Sequence, residues 1–194
     1  RNRSLERIDY EKLIDYFDSM ETCHINYYED VVEMVYTDPV FDFPYRFLIT
    51  KRSQVKSIYN LNVDYFNINL LVEIPILLPS YVTRCVLAFI MDVCKTFELE
   101  IYYEGIKNIE PFDMTGLMMF MEKEKMYFIE EHPEQEIFFE DREKLTQICQ
   151  YQQMMPYLPS KIKDEAVINP YIVMNDNEYK KIVLKHDKRG ADVF

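Results

Sequence analysis

The sequence contains no tryptophan, only three glycines and only four cysteines among its 194 residues. Loops that cradle phosphate need several glycines close together, because the backbone must approach the anion. Gly105, Gly116 and Gly190 are isolated, which excludes a P-loop and a dinucleotide-binding fingerprint. No uncharged apolar run approaches the ~18 residues that a membrane-spanning helix requires. We therefore expect no membrane span, no common nucleotide motif and no cofactor.

Positive charge is also scarce, since 22 Lys and Arg stand against 34 Asp and Glu and give a net charge of −12. Nucleic acids and anionic membranes both bind proteins through clustered cations. The largest cationic groupings are small: Lys51-Arg52, Lys180-Lys181, and Lys185 with Lys188-Arg189. We therefore expect neither a nucleic-acid nor a membrane partner. An acidic chain can instead attract a basic protein and accelerate its association, although charge also serves solubility alone.

The four cysteines are too scattered for a zinc ribbon or a thioredoxin-like motif, because none of them forms a C-x-x-C pair. Cys85 and Cys94 are nine residues apart on one predicted helix, so they point to opposite faces and cannot bond to each other. The pattern predicts four free thiols: Cys23, Cys85, Cys94 and Cys149. Free thiols are typical of a reducing compartment, so we expect a cytoplasmic protein.

Signatures of catalysis and metal binding are absent from the sequence, which contains no G-x-S-x-G elbow and no H-x-x-x-H pair. A proline separates His132 from Glu134, so we predict a solvated loop and no metal site there. Two carboxylate pairs fit exposed faces better than acid–base chemistry: Glu98 with Glu100, and Glu122 with Glu124. A Cys–His dyad assembled in space with His24, His132 or His186 stays open.

Apolar periodicity predicts an α+β fold. It indicates a first helix over roughly 4–20, followed by short strands at Cys23–Tyr28, Val31–Thr37 and Tyr45–Lys51. The alternation changes phase at Tyr65-Phe66, which predicts a β-bulge or a break between two strands.

The next part of the chain predicts a β-α-β crossover, with a strand over 68–76, a helix over 80–97 and a strand over 98–103. Short joins place the two strands parallel in one sheet, with Phe89 in the core beneath the helix. Two more helices are predicted over about 111–131, beginning at Pro111, and about 140–153. The expected architecture is a mostly antiparallel sheet with one parallel pair and helices packed on one face.

The predicted domain organisation has three parts. A main α+β domain covers 1–153, a connection covers 154–170, and a terminal hairpin covers 171–194. A lone hairpin is marginally stable in water. It therefore either adds to the main sheet or begins a second domain that this chain does not complete.

The choice of residues with A/T-rich codons also indicates an AT-rich genome.

Acidic residues concentrate between Glu110 and Glu143, where 11 Asp and Glu stand against three Lys and Arg, a net charge of −8. The helix predicted there also carries five methionines, whose adaptable side chains suit binding surfaces as well as irregular cores. The candidate partner-binding residues are Glu130, Glu131, Glu134, Glu136, Met118 and Met121.

The sequence thus favours a non-enzymatic, acidic protein-interaction module that binds a basic partner, for example the immunity protein that neutralises a toxin. One alternative is a hydrolase or transferase whose site draws on scattered His, Cys and carboxylate groups. Another is a structural subunit of a larger assembly, for example a viral one, with exposed aromatic side chains as contacts.

Overall fold

The structure is a computed structural model that describes residues 8–52, 68–135 and 141–157, together with the backbone of two strands, 167–175 and 178–186. It has an α+β fold, as predicted. The helices are α1 (Tyr10–Asp18), α2 (Ser80–Thr96), α3 (Met114–Glu131) and α4 (Arg142–Met154). The strands of the main sheet are β1 (Cys23–Tyr27), β2 (Val31–Thr37), β3 (Pro44–Thr50) and β4 (Leu70–Glu73).

The chain divides into two compact units. The first comprises Arg1–Ile76 and Arg84–Phe120, and the second comprises Leu77–Thr83 and Met121–Phe194. The second unit contains a separate two-stranded sheet, in which β5 (Val167–Asn175) pairs with β6 (Glu178–His186). The terminal hairpin therefore forms a sheet of its own and begins earlier than residue 171. The predicted domain limits at 153 and 170 differ from this grouping and stay a prediction.

The main sheet has the strand order β1-β2-β3-β4, and every neighbouring pair is antiparallel. β1, β2 and β3 lie where the alternation of apolar residues predicted strands. The backbone N–H of Tyr28 donates to Val31 O at 2.9 Å and closes the hairpin between β1 and β2. The phase change predicted at Tyr65-Phe66 lies outside the described residues.

The predicted β-α-β crossover is wrong in its last element. β4 and α2 occupy the predicted first strand and helix, but 98–103 forms no strand of the sheet, and the described sheet has no parallel pair. Glu98 has a positive φ of 51°, and the N–H of Leu99 donates to Cys94 O at 2.7 Å. This left-handed turn satisfies a terminal carbonyl of α2 and redirects the chain. Farther on, Ile101 forms an isolated antiparallel bridge with Glu110.

One face of the main sheet packs against α1 and α2. The sequence predicted helices on one face of the sheet, and these two helices agree with that prediction. The centroid of the Phe47 ring on β3 lies 4.6 Å from the centroid of the Phe17 ring on α1 and 6.1 Å from that of the Phe89 ring on α2. Phe17 and Phe47 are fully buried and large, so they dominate this core.

The opposite face of the sheet carries a polar ladder. Arg46 donates through Nε to Glu73 at 2.6 Å and through Nη1 to Glu33 at 2.9 Å, and Asn26 donates to Glu33 at 3.0 Å. The hydrogen bonds that Glu33 accepts from Asn26 and from Arg46 hold its pKa below the ordinary value, and that from Asn26 has the larger effect. The ladder joins all four strands and gives each of these polar side chains a partner on this face.

Aspartate side chains fix where three helices begin. Asp9 accepts hydrogen bonds from two N–H groups in the first turn of α1, so this helix begins later than the predicted residue 4. Asp113 accepts from the N–H groups of Thr115 and Gly116, both at 3.0 Å, so α3 begins after Pro111. Asp141 caps α4 in the same way.

Candidate functional site

His132 forms the C-terminal cap of α3. The backbone N–H of His132 donates to Phe128 O at 3.1 Å, and its Nδ1 lies 2.8 Å from the same oxygen. The imidazole ring stacks on the Phe128 ring with 4.2 Å between centroids. His132 therefore terminates the helix and packs against it.

Three of the four predicted glutamates lie within three residues of His132 in the chain. Glu130 and Glu131 are the last two residues of α3, Glu134 lies in the following turn, and all three are exposed. Glu136 lies outside the described residues. Among the residues that the structure does describe, no Lys or Arg forms an ion pair with any of the three.

The position of Glu130 and Glu131 is unfavourable for the helix itself. The C-terminal end of a helix carries partial negative charge, so a carboxylate there destabilises it by about 0.3–1 kcal/mol. The last turn of α3 contains no basic residue to offset this effect. Local stability therefore does not explain these two glutamates.

The two predicted methionines lie on another part of the helix. Met118 and Met121 are half-buried, although α3 has no fully buried side chain. Nine residues separate Met121 from Glu130, which at ~100° per residue places them about 180° apart around the axis. The structure therefore does not bring Met121 to the glutamates, and its predicted role in binding stays a prediction.

Two other apolar side chains do lie beside the glutamates. Met126 is 51 % exposed and Tyr127 is 50 % exposed. They precede Glu130 and Glu131 by four residues each, the spacing at which helical side chains are neighbours. This spacing is visible in the sequence, but the exposure of the two side chains is known only from the structure. We call the surface formed by Met126, Tyr127, Glu130, Glu131 and Glu134 the acidic end of α3.

Glu122 on the same helix differs from these exposed glutamates, because its carboxylate interacts with three other side chains. It accepts a hydrogen bond from Ser80 Oγ at 2.6 Å and lies 3.2 Å from Lys125 Nζ and 3.1 Å from Arg142. Burial raises its pKa, but the hydrogen bond from Ser80 and the two cations outweigh burial and hold the pKa below its ordinary value. Glu122 therefore joins the start of α2 to α3 and α4.

Burial affects the reactivity of three of the four cysteines. All four are free thiols. Burial raises the pKa of Cys23 and of Cys94 to about 11, and it also raises that of Cys85. These three thiols are protonated at neutral pH, and a protonated thiol is a poor nucleophile.

A shallow cleft of about 350 Å³ lies in the first unit, at the end of the sheet where β1 turns into β2. It is lined by Tyr10, Tyr28, Glu29, Asp30, Val31, Val32, Ile49, Thr50, Lys51 and Asn69. This lining includes no cysteine, histidine or serine, and Asp30 forms an ion pair with Lys51. In the part of the chain that the structure describes, no cluster of His, Cys, Asp and Glu could hold a metal ion. Nor is any helix in that part long and apolar enough to span a membrane.

Comparisons with protein-family models, with curated proteins and with solved structures find no match to this chain. Function is therefore inferred from the geometry of its own surfaces, of which the acidic end of α3 is the strongest candidate.

Proposed function

We propose that the protein is a non-enzymatic interaction module that binds a basic protein through the acidic end of α3. The observation that carries this proposal is the position of Glu130 and Glu131, which weaken the helix that holds them and lie exposed beside two apolar side chains. A role in binding supplies the reason that helix stability does not.

The proposed mechanism separates encounter from docking. The exposed carboxylates attract the partner over roughly one Debye length, about 10 Å at 0.1 M salt, and orient it. Met126 and Tyr127 then provide apolar contact area, and Tyr is enriched among the residues that dominate binding energy. Neutralisation of a basic toxin in the cytoplasm is the concrete form of this proposal, and the four free thiols are compatible with that compartment.

The test compares association rates with a partner obtained by co-purification from the source cells and identified by mass spectrometry. The Glu130/Glu131/Glu134→Lys variant should associate about tenfold more slowly and with a weaker salt dependence. Its stability should stay within about 0.5 kcal/mol of the wild type or rise slightly, because lysines suit the end of a helix.

The matched control is the Glu11/Asp15/Asp18→Lys variant, which makes the same change of net charge on α1, where all three side chains are exposed. It should retain most of the association rate, because the carboxylates at the acidic end of α3 are unchanged in this variant. Equal rates for the two variants would show that net charge alone acts and would contradict the proposed site.

A further inference from the structure

β1 is the outer strand of the described sheet. Two backbone hydrogen bonds of 2.9 Å fix which of its residues face β2: Tyr28 N–H to Val31 O, and Thr37 N–H to Thr22 O. In an antiparallel pair such bonds recur at every second residue. The even-numbered residues of β1 therefore bond to β2, and the backbone groups of Ile25 and Tyr27 point away from it.

In the part of the chain that the structure describes, these outward groups form an open edge. β1 pairs with β2, and no further backbone hydrogen bond joins Ile25 or Tyr27 to a described residue. Cys23 differs, because its N–H donates to Met20 O at 3.0 Å. The side chain of Tyr27 is 69 % exposed, whereas β4, the outer strand on the other side, is half-buried throughout.

β1 contains no lysine and no proline, and its ladder with β2 contains no bulge. Exposed edge strands are commonly protected by lysine, by proline or by a bulge. β1 has the sequence Cys-His-Ile-Asn-Tyr, and its register with β2 is continuous from Cys23 to Tyr27. Its backbone is therefore competent to accept another strand.

Charge selects what can occupy this edge. Glu21 lies just before β1 and Glu29 lies just after it, and both are exposed. Asp30, which follows Glu29, is already paired with Lys51. A second copy would bring the same two acids to the edge, and each chain has a net charge of −12, so repulsion disfavours a homodimer. Ile25 and Tyr27, on the face that packs against the helices, favour apolar neighbours.

We propose that β1 accepts an extended segment of a partner protein, with alternating basic and apolar side chains, as a fifth strand of the sheet. Backbone hydrogen bonds to Ile25 and Tyr27 provide the attachment, and the acids at both ends of β1 select Lys and Arg. This inference shares the basic character of the partner with the proposed function but uses different residues, so either can fail alone.

The probe is a fluorescein-labelled peptide, Lys-Val-Lys-Val-Lys-Val-Lys, and the control peptide is Lys-Pro-Lys-Pro-Lys-Pro-Lys, which has the same charge but cannot form a strand ladder. Binding of the first peptide should slow amide hydrogen exchange at Ile25 and Tyr27 about tenfold or more. The amides of His24 and Asn26, already bonded to β2, should change little. Equal binding of the two peptides would overturn the proposal, as would slow exchange at Ile25 and Tyr27 without peptide.

A backbone variant tests the same edge from the protein side. Tyr27→Pro removes an outward N–H and leaves the bonds to β2 intact, so it should weaken peptide binding about tenfold, whereas Tyr27→Ala keeps the N–H and should weaken it less. Asn26→Pro removes a bond to β2 and should unfold the sheet. Unchanged binding by folded Tyr27→Pro would overturn the proposal. If this variant does not fold, the exchange measurement on the wild type decides.

Discussion

The Phe89 ring of α2 stacks on the Tyr36 ring of β2, with 4.5 Å between their centroids and 24° between their planes. The same ring lies 6.1 Å from the rings of Tyr45 and Phe47 on β3 and 6.4 Å from that of Phe17 on α1. One half-buried side chain of α2 thus contacts two strands and another helix. Aromatic pairs at these distances contribute about 0.5–1.5 kcal/mol each beyond the apolar area that they bury.

Replacing Phe89 should therefore destabilise the first unit. Phe→Ala in a core costs about 3–5 kcal/mol, and the partial exposure of Phe89 places our expectation near the lower limit, about 3 kcal/mol. Phe89→Leu, which retains most of the apolar volume, should cost about 1 kcal/mol. Urea unfolding followed by circular dichroism measures both values. A loss below about 1 kcal/mol for Phe89→Ala would contradict the packing of α2 on the sheet.

The position of Phe89 was predictable from sequence because it depends on local periodicity. The same holds for β1, β2 and β3, whose alternating residues need no knowledge of distant partners. The α2 stripe was predicted correctly for the same reason, since Val82, Val86 and Val93 are buried. The α+β class follows from these elements together.

The crossover failed because strand pairing is not a local property. Leu99, Ile101 and Tyr103 alternate like a strand, but the conformation of Glu98 turns the chain, and Ile101 meets Glu110 instead of the sheet. The candidate site has the same limitation. Which side of α3 is exposed depends on what packs against the other side, so the sequence pattern did not show that Met126 and Tyr127 are exposed.

Glu98 provides a test of this explanation. A residue other than glycine in the left-handed conformation costs about 1 kcal/mol, and glycine relieves that cost while increasing the entropy of the unfolded chain. Glu98→Gly should therefore leave stability unchanged or raise it by up to about 1 kcal/mol. Glu124→Gly, inside α3, is the control and should cost about 1 kcal/mol. Thermal unfolding compares them, and similar losses in both variants would argue against a left-handed turn at Glu98.

The buried thiols predict a loss of stability at alkaline pH. The folded protein holds the pKa of Cys94 at about 11, above the ordinary value of 9.0. Above pH 9 the unfolded thiol loses its proton while the folded one keeps it, so stability is complete below pH 9 and falls towards pH 11. Two pKa units correspond to at most about 2.7 kcal/mol. Urea unfolding under reducing conditions should show a smaller decline for Cys94→Ala than for the wild type, and equal declines would contradict the burial of this thiol.

The contact between Ser80 and Glu122 predicts the opposite dependence, at acidic pH. A hydrogen bond to a charged group contributes about 1.5–3 kcal/mol when well buried, and Glu122 is partly exposed, so Ser80→Ala should cost about 1–2 kcal/mol at neutral pH. Arg142 is 70 % exposed, so Arg142→Ala is the control and should cost less than about 1 kcal/mol.

The pH dependence identifies the carboxylate as the cause. Because the folded protein lowers the pKa of Glu122 below 4.5, the stabilisation is present above that pH and is lost as pH falls through the folded value. The cost of Ser80→Ala should therefore shrink below pH 4.5, as Glu122 becomes protonated in both proteins. Urea unfolding of the wild type and the variant between pH 3 and 7 measures this difference. A constant cost across that range would mean that Ser80 stabilises the start of α2 without the charge of Glu122.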